Sequence, residues 1–175
     1  MKINSKKINR IYIVGTSGSG KSFLGNILSK KLKIPIYDSD EVMFVKKFTK
    51  VRTKEERKKI IDKISNKSKW IIDARASEWS RNPMKKSDLI IWLQTSIPLR
   101  TLRILSRYFS RKKRGETEED IKSLVKLLKY SITFRINKST SGFRSINRFI
   151  EENNLNPVII KNKTQLENLI NDILK

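Results

Sequence analysis

Gly15-Thr16-Ser17-Gly18-Ser19-Gly20-Lys21-Ser22 is the stretch that decides how this chain is read. It satisfies Gly-x-x-x-x-Gly-Lys-[Ser/Thr] at each defined position, and its setting matters as much as the match. Just before it, Arg10-Ile11-Tyr12-Ile13-Val14 is a β-branched and aromatic run suited to a strand buried on both faces of a parallel sheet. Just after it, Phe23, Leu24, Ile27, Leu28, Lys31 and Leu32 recur at helical spacing over 21–33, and Pro35 ends the pattern. Strand, glycine-rich loop and helix in that order make a cradle for closely spaced negative charges. Glycines let backbone N–H groups approach phosphate oxygens, and the helix adds the positive end of its dipole. The stretch therefore predicts that Gly15, Thr16, Ser17, Gly18, Ser19, Gly20, Lys21, Ser22 and Phe23 hold a nucleoside triphosphate. Lys21 would pair with the β- and γ-phosphates, and the Ser22 hydroxyl would ligate Mg2+. The competing reading is a Gly/Ser-rich turn that merely precedes a helix.

Outward from the loop, strands and helices alternate. Ile34–Tyr37 reads as a second strand running into Asp38-Ser39-Asp40. Residues 53–66 read as a helix, with Thr53 as N-cap, Glu56 at the capping-box position, and Ile60, Ile61 and Ile64 on its apolar face. Trp70-Ile71-Ile72-Asp73 is the third strand and Leu89–Leu93 the fourth. Pro98 opens a helix over 97–109 carrying Leu99, Leu102, Leu105 and Phe109, and a basic segment, Ser110–Gly115, follows. A long helix is expected over Thr117–Phe134, with Thr117 at its start and Glu118, Glu119 and Asp120 in its first turn. Ser141–Glu152 reads as helix, Pro157–Ile160 as the last strand and Gln165–Leu174 as the closing helix. This alternation predicts an α/β fold with a parallel sheet covered on both faces. With 175 residues and no repeat, low-complexity tract or linker, one domain over 1–175 is expected.

Composition removes whole classes of chemistry. The chain has no cysteine and no histidine, which excludes a disulfide framework, a thiolate zinc site, a Ser-His triad and an imidazole base. Acid and base work falls to carboxylates, Lys and Arg. No apolar run approaches a signal-peptide core or a membrane span, so a cytoplasmic protein with no membrane partner is expected. The net charge of +23 points to polyanions, nucleotides and nucleic acid among them; lysine-rich composition scattered over solvated helix faces is the other explanation.

Two further constellations bear on chemistry. Asp73 ends an apolar strand in the manner of a Walker-B acid and is a candidate to share Mg2+ with Ser22; a turn residue closing a strand is the alternative. Asp38 and Asp40 are candidates to orient an acceptor or assist its deprotonation, or else to cap a helix. Arg100, Arg103 and Arg107 recur at three and four residues on one helix face, with Arg111, Lys112, Lys113 and Arg114 beyond. Guanidinium groups on a lid can stabilise a phosphoryl group in transfer and exclude water, which makes Arg107 and Arg111 catalytic candidates beside Lys21 and Asp73. A solvated basic face is the alternative.

These blocks resemble the P-loop nucleoside and small-molecule kinases, the group that includes adenylate and shikimate kinases. Within it the nearest likeness is to the adenylate-kinase-like family labelled DNA topology modulation proteins. The likeness rests on Ile13–Ser22, Ile34–Asp40, Trp70–Asp73, Ser87–Leu93 and Val158–Ile160. It implies a P-loop NTPase fold, with five parallel strands in the order 2-3-1-4-5, Asp73 beside Ser22, and a small helical lid over 109–118. It also implies an ATP- and Mg2+-dependent kinase acting on a small acceptor. The chain departs from the family where Asp73 is followed by Ala74-Arg75 rather than glycine, and Leu93 by Gln94-Thr95 rather than an acidic residue. Arg75 and Arg81 fall where an acceptor would lie and suggest an anionic one such as a nucleoside monophosphate, or else they are surface residues. Two alternatives stay open: a nucleotide-dependent nucleic-acid-binding protein with weak ATPase activity, and a nucleotide-binding interaction protein without turnover.

Overall fold

A computed structural model describes residues 8–45, 50–75, 77–115, 120–136 and 142–174. Five strands, β1 (Arg10–Gly15), β2 (Ile36–Asp38), β3 (Trp70–Ala74), β4 (Leu89–Leu93) and β5 (Val158–Ile160), form one sheet in the order β2-β3-β1-β4-β5. Every neighbouring pair is parallel. The order is the one the family resemblance implies.

Period-two alternation divides the core between the two faces of the sheet. Ile11, Ile13, Ile71 and Ile91 pack with Leu24 and Leu28 of α1 (Lys21–Leu32) and with Leu169 of α8 (Lys163–Leu174). Tyr12, Val14, Trp70, Ile72 and Trp92 pack on the opposite face with Ile61 of α3 (Lys54–Ser65) and Ile146 and Ile150 of α7 (Phe143–Glu152). Burial on both faces explains why the strands read as continuous apolar runs. It also puts the strands' carboxyl ends along one edge, where Asp73 is in register with Ile13, two residues before the glycine-rich loop.

Several expected boundaries move. The second strand starts at Ile36, two residues late, because Lys33 adopts a left-handed φ of 55° and the Lys33 and Ile34 amides close α1 on the Ser29 carbonyl. A single turn of helix, α2 (Ser39–Met43), follows β2 at once, and Asp38 takes the alternative reading of a helix cap, the Asp40 amide donating to its Oδ1 at 2.8 Å. Thr53 and Glu56 form the expected capping box on α3. A 3-10 turn, Glu78–Ser80, and short α4 (Asn82–Lys86) fill the stretch before β4.

The helix expected over 97–109 continues as α5 to Lys113, so the first part of the expected helical lid, 109–113, is the end of α5. Arg114 and Gly115 form the turn, and 116–119, Thr117 included, lie outside the described residues. The next helix, α6 (Ile121–Thr133), is capped by Asp120, whose side chain accepts from the Ser123 amide at 2.8 Å. Α5 and α6 pack as a helical hairpin around Ile104, Tyr108 and Leu124.

Candidate functional site

The loop between β1 and α1 is shaped before any ligand arrives. Gly18 (φ 77°) and Gly20 (φ 100°) take left-handed conformations that side chains rarely adopt. A Cβ on Gly18 would lie 2.7 Å from the Arg100 carbonyl, so α5 sits directly against the loop. The first intrahelical bond of α1 runs from Leu24 N to Gly20 O, and no side chain caps the helix. The amides of Lys21, Ser22 and Phe23 thus precede the helical ladder, where the dipole is positive. Gly15, Thr16 and Ser19 are buried and form the underside of the loop, while Ser17, Gly18, Gly20, Lys21, Ser22 and Phe23 line a cleft of about 650 Å³.

Asp73 is the organising carboxylate. It is 3 % exposed, within β3 rather than in a turn, and β1–β3 pairing carries it beneath the loop. The Ser22 hydroxyl donates to its Oδ2 at 2.6 Å, and Lys21 Nζ stands 3.7 Å from its Oδ1. Lys21 Nζ also donates to the Thr16 carbonyl at 3.4 Å. One buried acid therefore holds both side chains that the motif assigns to phosphate and cation.

The two acidic residues at the end of β2 both line the cleft but differ in contacts. Asp38 caps α2, whereas Asp40 accepts from Arg75 Nη2 at 2.8 Å. Arg75 follows β3 directly and also lines the cleft. Arg81, expected beside it, is not brought there. It is buried against α7, donates to Ser145 Oγ at 2.8 Å and stands over the Phe149 ring at 5.5 Å. Burial holds its pKa below the usual arginine value. The polypeptide turns away from the cleft through the 3-10 turn at Glu78–Ser80, which a reading by sequence distance alone does not capture.

From the opposite wall, Arg103, Arg107 and Arg111 of α5 line the cleft, as do Lys126 and Tyr130 of α6. Arg100, grouped with them by spacing, turns inward and is 4 % exposed. Arg103 Nη1 donates to the Ser19 and Gly18 carbonyls at 3.1 and 3.3 Å, and Thr95 Oγ1 donates to the Ser19 carbonyl at 2.9 Å. Neither Arg103 nor Thr95 was assigned to the loop from sequence. The position of Thr95, just beyond β4 at the carboxyl edge of a parallel sheet, was the available signal. Asn162, after β5, is engaged in capping α8, its Oδ1 accepting from the Gln165 amide at 2.9 Å.

No family model matches the chain. Among curated proteins, the chain is 36 % identical over 102 residues to a protein of Bacillus subtilis (strain 168) named uncharacterized protein YqaC, covering 58 % of this chain and 57 % of that one. It is 27 % identical over 105 residues to the shikimate kinase of Legionella pneumophila (strain Corby), covering 52 % and 60 %. To the shikimate kinase of Sulfurihydrogenibium sp. (strain YO3AOP1) it is 30 % identical over 104 residues, covering 51 % and 63 %. The matches thus span roughly three-fifths of these relatives' lengths. Among solved structures, shikimate kinase from Acinetobacter baumannii in complex with shikimate superposes with a TM-score of 0.56 at 17 % identity, covering 95 % of this chain and 91 % of that one. A gluconokinase from Sinorhizobium meliloti 1021 also gives 0.56, at 15 % identity, covering 97 % and 91 %. These likenesses establish the fold as that of the small P-loop kinases.

Proposed function

We propose that the chain is an ATP- and Mg2+-dependent kinase that transfers a phosphoryl group to the hydroxyl of a small anionic acceptor. The observation that carries this reading is the cluster at the cleft floor: Ser22 Oγ 2.6 Å and Lys21 Nζ 3.7 Å from buried Asp73, with the arginines of α5 opposite. The donors suit the cofactor. Mg2+ in triphosphate sites takes one or two protein oxygens and completes its shell from phosphates and water, and Ser22 and Asp73 offer hard oxygen donors side by side. Among the described residues no larger acidic or histidine cluster gathers, and such a site does not require one. Bound Mg2+ would neutralise charge across the phosphate chain.

The chain's own groups divide the remaining work. Amides of the loop and of the first turn of α1 hold phosphate oxygens, and Lys21 leaves Asp73 to meet them. Arg107 and Arg111 face the same space from α5 and are placed to stabilise charge on the group in transfer. Asp40 is the carboxylate positioned to take the acceptor's hydroxyl proton; Asp38 lines the cleft beside it with its Oδ1 engaged in capping α2. An anionic acceptor competes with Asp40 for Arg75, so binding it releases the base from its ion pair. The similarity to shikimate kinases and the shared fold with a gluconokinase support a small-molecule acceptor. The finer likeness to the DNA topology modulation family belongs to the same proposal, and the nucleic-acid alternative gains little from α5, because Arg103, Arg107 and Arg111 face the cleft.

The test is ADP release with Mg2+ and ATP against shikimate and other hydroxy acids, nucleosides and nucleoside monophosphates, run beside duplex and single-stranded DNA. Stimulation by one small acceptor, with its phosphorylated product identified, is expected. Stimulation by DNA alone would overturn the kinase reading.

A further inference from the structure

At the base of the hairpin, two buried donors face inward without acceptors, beside an exposed arginine. Arg100 is 4 % exposed, its Nε has no hydrogen-bond partner, and no carboxylate pairs with it among the described residues. The charged group that acts on it is another cation, Arg135; burial first and this repulsion second hold its pKa below the usual arginine value. Ser131 is fully buried, and its hydroxyl is also unpartnered.

Helix geometry places these groups together. Α5 and α6 meet through Ile104, Tyr108 and Leu124. Arg100 precedes Ile104 by one turn of α5, and Ser131 follows Leu124 by two turns of α6, so in an antiparallel hairpin both lie at its base. Arg135 lies in the turn that follows α6, four residues past Ser131. Its guanidinium stands 5.5 Å over the ring of Phe143, which in turn packs on Trp92 of β4 at 4.9 Å. Arg100, Ser131 and Arg135 do not line the triphosphate cleft.

A guanidinium withdrawn from water with no counter-ion, and repelled by a neighbour, is one of the least favourable arrangements a core can hold. A buried group of this kind calls for a partner. An oxyanion answers these groups at once: it accepts from Arg100 and from the Ser131 hydroxyl, and it offsets the repulsion between Arg100 and Arg135. We propose that the base of the α5–α6 hairpin is a second anion-binding site, distinct from the phosphate loop, in which Arg100, Ser131 and Arg135 hold a phosphate or carboxylate group. The Arg100 carbonyl lies against Gly18, so occupancy of this site bears on the position of α5 relative to the loop.

The experiment is thermal unfolding of the full chain titrated with inorganic phosphate, and in parallel with acetate. It is run with the cleft saturated by Mg2+ and a non-hydrolysable ATP analogue, and repeated in Lys21→Ala without nucleotide, so that the readout does not depend on kinase activity. Phosphate or acetate should raise Tm in both backgrounds. Arg100→Met should abolish that rise and, by removing an unpaired buried charge, keep or raise Tm in anion-free buffer. Arg135→Gln alters an exposed side chain and keeps the fold testable if Arg100→Met does not fold; it should weaken anion binding by about tenfold. No Tm rise from either anion in the wild type, or a full rise in Arg135→Gln, would overturn the site.

Discussion

Around the phosphate loop, the charged groups are paired inside the protein: Lys21 and Ser22 converge on Asp73, Arg75 pairs with Asp40, and Arg103 and Thr95 hold the carbonyls beneath the loop, while the buried Thr16 and Ser19 hydroxyls lack a partner. Across the cleft, the α5–α6 hairpin is built differently. Arg107 lines the cleft with no partner among the described residues, and Arg100 is buried with none. Its outer surface exposes Leu102, Phe109, Ile121 and Ile136. On the loop side, internal bonds already fix the positions of Lys21, Ser22 and the carbonyls beneath them. On the hairpin side, Arg100 and Arg107 hold positive charge without a counter-ion among the described residues. Substitutions on the loop side should therefore remove a working part outright, whereas those on the hairpin should alter how the ligand is used and leave the folded protein intact or more stable.

The sharpest way to break this contrast is Lys21→Ala, expected to lower kcat by about 10³-fold with an unchanged circular dichroism spectrum, since the cation at the β- and γ-phosphates has no substitute in the loop. A variant retaining most of its turnover would remove the loop from the mechanism. Arg107→Ala should cost about 10²-fold in kcat while Tm stays level, because no internal bond is lost. A clear fall in Tm would show that Arg107 is structural and the contrast false. Arg75→Ala should raise the acceptor KM about tenfold and leave the ATP KM unaltered, separating the two ends of the cleft. The smallest effect is expected from Thr53→Ala, which removes one half of the capping box on α3 and should lower stability by about 1 kcal/mol in urea unfolding without touching catalysis.

Much of the loop side was legible in the sequence because its causes are local. The glycine spacing, the β-branched strand before it and the helical period after it each carry their own physical reason, and the pairing of β1 with β3 followed from the family resemblance. Asp73 was recognisable as a strand-ending acid, although its burial and its hold on both Lys21 and Ser22 belong to the tertiary structure. The hairpin was less readable. Spacing grouped Arg100 with Arg103 and Arg107, yet packing of the first turns of α5 against Gly18 turns Arg100 inward and leaves Arg103 on the loop carbonyls. Arg81 was misplaced for a similar reason, since the 3-10 turn that redirects the chain after Arg75 has no strong sequence signature. The divided roles of Asp38 and Asp40 required the backbone of α2, five residues that no periodicity announces.

The most direct test of the kinase account is a phosphorus NMR spectrum of the chain with Mg2+, ATP and a pooled set of hydroxy acids, sugar acids and nucleoside monophosphates. The account predicts ADP and one new phosphomonoester growing in equal amounts, both absent with Lys21→Ala. ADP accompanied only by inorganic phosphate, whatever acceptor is supplied, would contradict it.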